Sequence, residues 1–295
     1  MTLKINNLSK IYPNGVKALD NLSLEIKQGM FGLLGPNGAG KSSLMRTLAT
    51  LQTADEGSVY LDDIDIFKDP MELRKVLGYL PQDFGVYPKM SAVDLLDYLA
   101  ILKGIASRQE RNTLIKQVLE ITNLYEVRKK FVDGYSGGMK QRFGIAQLLL
   151  NNPKLIIVDE PTAGLDPAER NRFLNVLREI ASSNIIIFST HIVDDIKDLC
   201  NDMAIMNGGR ILNKIIPFEA TKEIENKIWT SNIEREKLEK SEQLFSVLSS
   251  KYNQDNSINI RVYANEQPSS NFVSATPNLE DVYFLNLKYN VDNAK

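Results

Sequence analysis

The chain has 295 residues, of which 43% are hydrophobic and 24% charged, with a formal net charge of −2. This composition is typical of a soluble globular protein with one or two domains, and the near-neutral charge gives no field for bulk nucleic-acid binding. The single cysteine, Cys200, excludes an internal disulfide and fits a reducing cytosol. Residues 2–10 are polar and alternating and the apolar runs are short, so we expect neither a signal peptide nor a membrane span.

The chain begins with two alternating segments, residues 3–8 and 22–26, which predict antiparallel strands. An apolar run at 31–34 then predicts a buried strand, and residues 43–51 predict a helix. The segment between this strand and helix fits the pattern of Gly, four residues, Gly, Lys and Ser/Thr. Its residues are Gly35, Pro36, Asn37, Gly38, Ala39, Gly40, Lys41 and Ser42, followed by Ser43.

The strand, loop and helix together predict a nucleotide-phosphate site. Glycines allow successive amide N–H groups to point inward at an anion, and the start of the helix adds its positive dipole end. Lys41 would reach the β- and γ-phosphates, and Ser42 would offer its hydroxyl to Mg²⁺. The alternative is a glycine-rich turn that matches by accident, which the flanking strand and helix make improbable.

The next part of the chain changes from strand to helix. Strands are predicted at 57–61 and 77–80, and the segment 83–150 is predicted to be a helical subdomain. Within it the spacing of apolar residues predicts helices at 93–102, 107–122 and 143–150, the first with a capping box at Ser91.

Two later apolar runs predict strands of a parallel sheet, 155–158 and 185–188. Asp159 and Glu160 follow the first and His191 follows the second, at the sheet edge where open α/β sheets bind ligands. Asp159 would hold Mg²⁺ and Glu160 would polarise an attacking water. The alternative readings are a strand end with solvated acids and a structural histidine.

Over roughly residues 1–215 the chain resembles the nucleotide-binding subunit of an ATP-binding-cassette (ABC) transporter. The elements that carry the resemblance occur in the family's order: the phosphate loop, Gln82, the Ser-Gly-Gly signature at 136–138, the acids Asp159 and Glu160, the Gly-Leu-Asp turn at 164–166, and His191. The resemblance implies a P-loop NTPase core of ABC type, with an antiparallel β edge and the helical subdomain.

The resemblance also implies residue roles. Tyr12 would stack on adenine, Gln82 would sense Mg²⁺ and the attacking water, and His191 would contact the γ-phosphate. Ser136, Gly137 and Gly138 would cover the ATP held by a second subunit, and Asp166 would lie at the dimer seam. ATP and Mg²⁺ are therefore the implied cofactors, with Lys41, Gln82, Glu160 and His191 as the catalytic set.

The implied partners are a second ATPase subunit in a head-to-tail homodimer and a separate transmembrane permease, with no nucleic acid expected. The protein would sit in the cytoplasm, peripheral on the inner face of the membrane. Residues 84–87 are an aromatic cluster that would either receive the permease or belong to the core. The signature departs from the family's commonest form, because Tyr135 and Met139 flank its Ser-Gly-Gly.

Residues 1–216 are predicted to form the ATPase domain and residues 217–295 a small α+β appendage. In the appendage we predict a short strand at 228–229, a helix at 234–252, a strand at 258–262 and a final helix at 279–287. Residues 275–284 resemble the ending of ABC ATPases that serve export-type permeases. A solvated tail without functional meaning is the alternative.

The sequence favours the ATPase subunit of an exporter. A soluble ABC ATPase acting on nucleic acid or ribosomes is the main alternative, but the chain has one phosphate loop, no sustained heptads, no cysteine cluster and no basic stretch. A nucleotide-binding regulator without turnover is a third possibility, which Glu160 disfavours.

Overall fold

The computed structural model describes residues 1–292. The first part of the chain contains β1 (Thr2–Ile11), β2 (Lys17–Lys27), β3 (Gly29–Leu34), α1 (Lys41–Leu48), β4 (Glu56–Leu61), β5 (Ile64–Asp65), α2 (Pro70–Lys75) and β6 (Leu77–Leu80). The middle contains α3 (Ala92–Leu102), α4 (Arg108–Ile121), α5 (Gly137–Leu149), β7 (Leu155–Asp159), α6 (Pro167–Ile180), β8 (Ile185–Thr190), α7 (Val193–Leu199), β9 (Asp202–Asn207) and β10 (Arg210–Ile215). The last part contains α8 (Pro217–Ala220), β11 (Ile228–Ile233), α9 (Leu238–Leu244), β12 (Ser246–Tyr252), β13 (Ile258–Tyr263), β14 (Val273–Ser274) and α10 (Leu279–Asp292). Short 3-10 turns occur at Tyr125–Val127, Val132–Gly134, Lys222–Ile224 and Arg235–Lys237.

A six-stranded sheet forms the centre of the protein, with strand order β10-β9-β3-β8-β7-β6. Its strands are parallel except for β10, which is antiparallel to β9. Every residue of β7 and β8 is buried, and successive side chains enter two different apolar clusters. A strand covered on both faces has no polar face to show in its sequence, which explains the continuous apolar runs.

The register of this sheet aligns the ends of three strands. Leu34 at the end of β3 lies opposite Thr190 at the end of β8, and Asp159 at the end of β7 lies opposite Ser189. The segments that follow β3, β7 and β8 therefore leave the sheet at one edge and at one level.

The antiparallel edge and the helical part are confirmed. A second sheet has the order β2-β1-β4-β5. Ser91 and Ser107 cap α3 and α4, where their hydroxyls accept hydrogen bonds from the third residue along. Helix α5 begins six residues before the predicted start at 143, because Ser136 caps it and the two glycines form its first turn.

The C-terminal part contains a four-stranded antiparallel sheet of order β12-β13-β11-β14. The prediction of one helix over 234–252 is wrong, because the helix α9 ends at Leu244 and the rest is strand β12. That strand pairs with β13, with Val247 opposite Val262 and Tyr252 opposite Ile258. Pairing with a partner strand decided the conformation here, as it often does for sequences of weak preference.

Helix α10 joins this small sheet to the rest of the protein. Leu279, Val282 and Tyr283 belong to the same apolar cluster as Ile196 of α7 and Met203 of β9. A domain boundary at residue 216 stays a prediction, since the two parts share this core. No helix within residues 1–292 is both long and apolar enough to cross a membrane.

Candidate functional site

The glycine-rich loop connects β3 to α1. Gly40 has a φ of +104°, and a Cβ at this position would lie 2.4 Å from the carbonyl oxygen of Ala18, so both the backbone and the space require glycine. Lys41, the first residue of α1, is buried, and its Nζ donates to the carbonyl oxygens of Gly35 at 2.7 Å and Pro36 at 3.2 Å. The lysine therefore curves back over the loop that it follows.

Two carboxylates end β7 in different environments. Asp159 is buried and accepts a hydrogen bond from the hydroxyl of Ser189. Glu160 has a φ of +46°, an uncommon conformation for a residue with a side chain. Its amide donates to the carbonyl and hydroxyl oxygens of Ser189, both at 3.1 Å. These hydrogen bonds fix the Glu160 backbone against Ser189 of β8.

The Glu160 carboxylate lies between two other predicted catalytic residues. Its Oε1 is 3.3 Å from Lys41 Nζ, and its Oε2 is 3.3 Å from His191 Nδ1. The Glu160 side chain is only 12% exposed, whereas that of His191 is 45% exposed. A cation, an acid and an imidazole from three separate segments thus meet at the edge of the sheet.

Tyr12 lies beside the start of α1. Its hydroxyl is 3.1 Å from Ser43 Oγ and donates to Gln52 Oε1 at 3.0 Å, while the Gln52 amide donates to the Ser43 carbonyl oxygen at 2.9 Å. These contacts fix the tyrosine next to the phosphate loop. Gln52 carries no signal in the sequence, because it lies outside every motif.

Gln82 follows β6, the strand next to β7, and is exposed. Within residues 1–292 it forms no hydrogen bond with another residue of the site. Asp159 and the hydroxyl-bearing Ser42 at the start of α1 supply oxygen donors, the ligand type that Mg²⁺ prefers. The donor set therefore fits Mg²⁺ in its chemistry.

The signature residues and Asp166 occupy the first turns of two helices. Ser136 caps α5, accepting from the Met139 amide at 3.2 Å, and Asp166 caps α6, accepting from the Glu169 amide at 2.9 Å. Ser136, Gly137 and Asp166 are exposed. No hydrogen bond or ion pair in the described part of the chain joins them to Lys41, Glu160 or His191.

The two residues that flank the signature pack into the helical part. Tyr135 is buried, donates its hydroxyl to the Val127 carbonyl oxygen at 3.0 Å and contacts Phe143 edge-on. Met139 packs against the apolar cluster that contains Tyr135 and Phe143. The two residues that differ from the commonest signature therefore contribute to the apolar packing of the helical part.

Sequence reasoning missed several polar side chains that organise this region. Ser189 joins Asp159 to the Glu160 backbone, and Glu169 pairs with Arg142 of α5. Ser189 carries a weak signal, since it lies two residues before His191 at a strand end. Glu169 and Arg142 carry none, because only the packing of α5 on α6 brings them together.

Comparison with known proteins identifies the family. The ABC transporter family pattern matches residues 19–163. The ABC transporter ATP-binding protein YxlF of Bacillus subtilis is 36% identical over 238 residues, which cover 80% of this chain and 78% of that protein. A methionine import ATP-binding protein, MetN of Carboxydothermus hydrogenoformans, is 35% identical over 219 residues, covering 71% of this chain and 65% of that protein.

Solved structures show the same fold. The dimeric ATP-binding cassette MJ0796, in a post-hydrolysis state with ADP and phosphate bound, superposes with a TM-score of 0.65 at 28% identity, covering 72% of this chain and 98% of that one. The fold, the phosphate loop and these relatives agree. The chain belongs to the ABC transporter family, as an ATP-binding subunit with ATPase activity.

Proposed function

We propose that this ATPase hydrolyses ATP with Glu160 as the general base, and that it powers export through a separate permease. The observation that carries the catalytic part is the position of the Glu160 carboxylate, 3.3 Å from both Lys41 Nζ and His191 Nδ1. A carboxylate held between two nitrogen atoms has a fixed orientation and can accept a proton from a water molecule placed against it.

In the proposed reaction the backbone N–H groups of residues 37–42 and the ammonium group of Lys41 bind the phosphates of ATP. Glu160 takes a proton from water as the water oxygen attacks the γ-phosphorus and the bond to the bridging oxygen breaks. His191 contacts the γ-phosphate and holds the Glu160 carboxylate in place. Mg²⁺, held by Ser42, Asp159 and Gln82, would neutralise charge on the phosphate oxygens.

The complete site would need a second copy of this chain. Ser136 and Gly137 are exposed at the start of α5, beside the buried Gly138, and this helix start suits an anion presented from outside the subunit. Asp166 is exposed at the start of α6. We infer a head-to-tail homodimer in which each signature covers the partner's ATP.

The permease surface is proposed at an exposed pair of aromatic rings. Tyr87 is 54% and Tyr98 43% exposed, and their rings meet edge-on with centroids 6.0 Å apart. Ile101 and Leu102 at the end of α3 are also exposed. Such a patch on the helical part would suit an apolar helix from a membrane protein, and would place the ATPase on the inner face of the membrane.

The direction of transport rests on the C-terminal part, since the cassette itself is also similar to an import protein. Residues 275–284 resemble the ending of export-type ATPases, and this segment includes the buried Asp281. The amides of Asn278 and Asp281 each bond the other's side chain at 2.9 Å, and Arg261 pairs with Asp281. These contacts support a folded segment with a specific structure and not a solvated tail.

The test is a detergent-solubilised pull-down with tagged Glu160→Gln protein, ATP and Mg²⁺. The variant should bind ATP and stay in the closed dimer on its partner. Tagged protein that also carries Lys41→Ala is the control, because it should not hold the phosphates. Recovery of a multi-span membrane protein by the first variant alone supports the proposal. Recovery of ribosomes, nucleic acid or only soluble proteins contradicts it.

A further inference from the structure

We propose that Asp195 is a positioning residue for ATP hydrolysis, which holds His191 in place by joining its segment to the loop after Glu160 and to helix α6. This inference rests on the roles proposed above for Glu160 and His191. Asp195 lies in the first turn of α7, and it belongs to none of the motifs of the sequence.

The Asp195 side chain is completely buried and fully engaged. Its Oδ2 accepts hydrogen bonds from Thr162 Oγ1 at 2.8 Å and from Thr190 Oγ1 at 3.2 Å. Its Oδ1 lies 2.5 Å from Arg170 Nε, in an ion pair. Burying a carboxylate without such partners would cost much free energy of folding. The three donors therefore have to stay in place around Asp195.

Each of the three donors lies close in the chain to a site residue. Thr162 follows Glu160 by two residues, on the way to Asp166. Thr190 directly precedes His191, and its hydroxyl also accepts a hydrogen bond from the Ile192 amide at 2.9 Å. The Thr190 hydroxyl therefore fixes the backbone on both sides of His191.

Arg170 supplies the third attachment, on the first turns of α6. Asp166 caps this helix, and the neighbouring Glu169 pairs with Arg142 of α5 and Arg172. Helix α6 is thus held by α5 on one side and by Asp195 on the other. Asp195 consequently joins the His191 segment to a helix that is itself held in place. A shift of Asp195 would also move the loop that contains Thr162.

A purely structural role is the competing explanation, because many buried ion pairs stabilise a fold without any part in catalysis. The two explanations differ in kinetics. A positioning residue acts on turnover through the group that it positions, whereas a structural residue lowers the folded fraction and leaves the remaining molecules active.

The first experiment measures steady-state ATPase kinetics of the full-length Asp195→Asn protein with Mg²⁺ and ATP, well below its unfolding temperature. We expect kcat to fall about 10- to 100-fold, with KM changed by less than about threefold, as for a misplacement on the ångström scale. Asp281→Asn is the matched control. Asp281 is also buried and paired with an arginine, but in the C-terminal part. It should lower the unfolding temperature and keep kcat within about twofold.

The second experiment repeats Asp195→Asn in a His191→Ala background. If Asp195 acts through His191, it should lower kcat there by less than about twofold. An equal loss in both backgrounds, or a wild-type kcat for Asp195→Asn alone, would overturn the inference. An unchanged kcat for His191→Ala alone would instead remove the role proposed for His191, and so identifies a failure of the proposed function.

If Asp195→Asn does not fold, Thr162→Val and Thr190→Val remove the donors at nearly constant volume. Each should lower kcat by about 3- to 10-fold with KM nearly unchanged. The unfolding temperature should fall by only a few degrees, because Thr162→Val removes one hydrogen bond and Thr190→Val two, while the ion pair with Arg170 remains. Wild-type turnover in the doubly substituted protein would overturn the inference.

Discussion

The side chain of Glu169 occupies the space that a Cβ on Gly138 would need. A Cβ there would lie 2.1 Å from Glu169 Oε2 and 2.7 Å from Glu169 Cβ. The same carboxylate pairs with Arg142, which is buried on α5. The second glycine of the signature is therefore required by the packing of α5 on α6, independently of any contact with phosphate.

We expect Gly138→Ala to lower the free energy of unfolding by about 1–3 kcal/mol, because the added methyl group displaces Glu169 and strains the pair with Arg142. Thermal or urea unfolding measures this. Gly137→Ala is the control, since a Cβ there meets only Leu165 Cδ2 at 3.7 Å, an ordinary contact. It should change stability by less than about 0.5 kcal/mol. Equal effects of the two substitutions would contradict the packing argument.

Glu160→Gln should bind ATP, dimerise and lose at least about 10²-fold in kcat, because the amide cannot accept the proton of the attacking water. Single-turnover hydrolysis of labelled ATP measures the loss, and equilibrium dialysis measures the binding. Asp281→Asn again controls for the loss of a carboxylate remote from the site. Full ATPase activity of Glu160→Gln would remove Glu160 as the base.

Burial raises the pKa of Tyr135 to about 12. In the unfolded chain a tyrosine ionises near about pH 10, so the folded protein keeps this phenol neutral at pH values where the unfolded chain has lost the proton. The stability associated with Tyr135 should be complete below about pH 10 and should fall as the pH rises toward about 12.

Between about pH 10 and 12 the unfolding free energy of the wild type should fall with pH as the unfolded chain loses the Tyr135 proton. Tyr135→Phe should make this slope shallower, by the contribution of at most one proton. At neutral pH it should cost about 1 kcal/mol through the lost hydrogen bond to Val127. Urea unfolding across this pH range measures both effects. The same pH dependence in wild type and Tyr135→Phe would contradict the assignment.

The aromatic residues after Gln82 divide into a surface residue and a packed one. Tyr87 is exposed beside Tyr98. Phe84 is half-buried against the central apolar cluster, and its ring lies over α5, 2.9 Å from where a Cβ on Gly144 would be. Only Tyr87 is therefore a candidate for contact with the permease.

Tyr87→Ser with Tyr98→Ser should abolish co-purification of the membrane partner while ATP binding and the unfolding temperature stay near wild type. Phe84→Ser should instead destabilise the protein by about 2 kcal/mol or more, because it opens a cavity over α5. Unchanged recovery of the permease by the double variant would place the docking surface elsewhere on the protein.

Much of the fold followed from local patterns. The buried strands β7 and β8 were recognisable because both of their faces are apolar. Helix α3 was recognisable because a serine cap precedes its apolar residues, and α4 because its apolar residues lie on one face. The helix predicted over 234–252 failed for the opposite reason. Residues 246–252 have no strong preference of their own, and their pairing with β13 decides that they are a strand.

By itself, the sequence determined the phosphate loop, the acids after β7 and the family, because each depends on residue types at short, fixed spacing. Only the tertiary structure decided that Lys41, Glu160 and His191 are in contact. It also decided that the Glu169 side chain packs where Gly138 lacks a Cβ, and that Asp195 joins three segments. A buried polar contact depends on which distant segments the sheet register and helix packing bring together, and no local pattern encodes that neighbourhood.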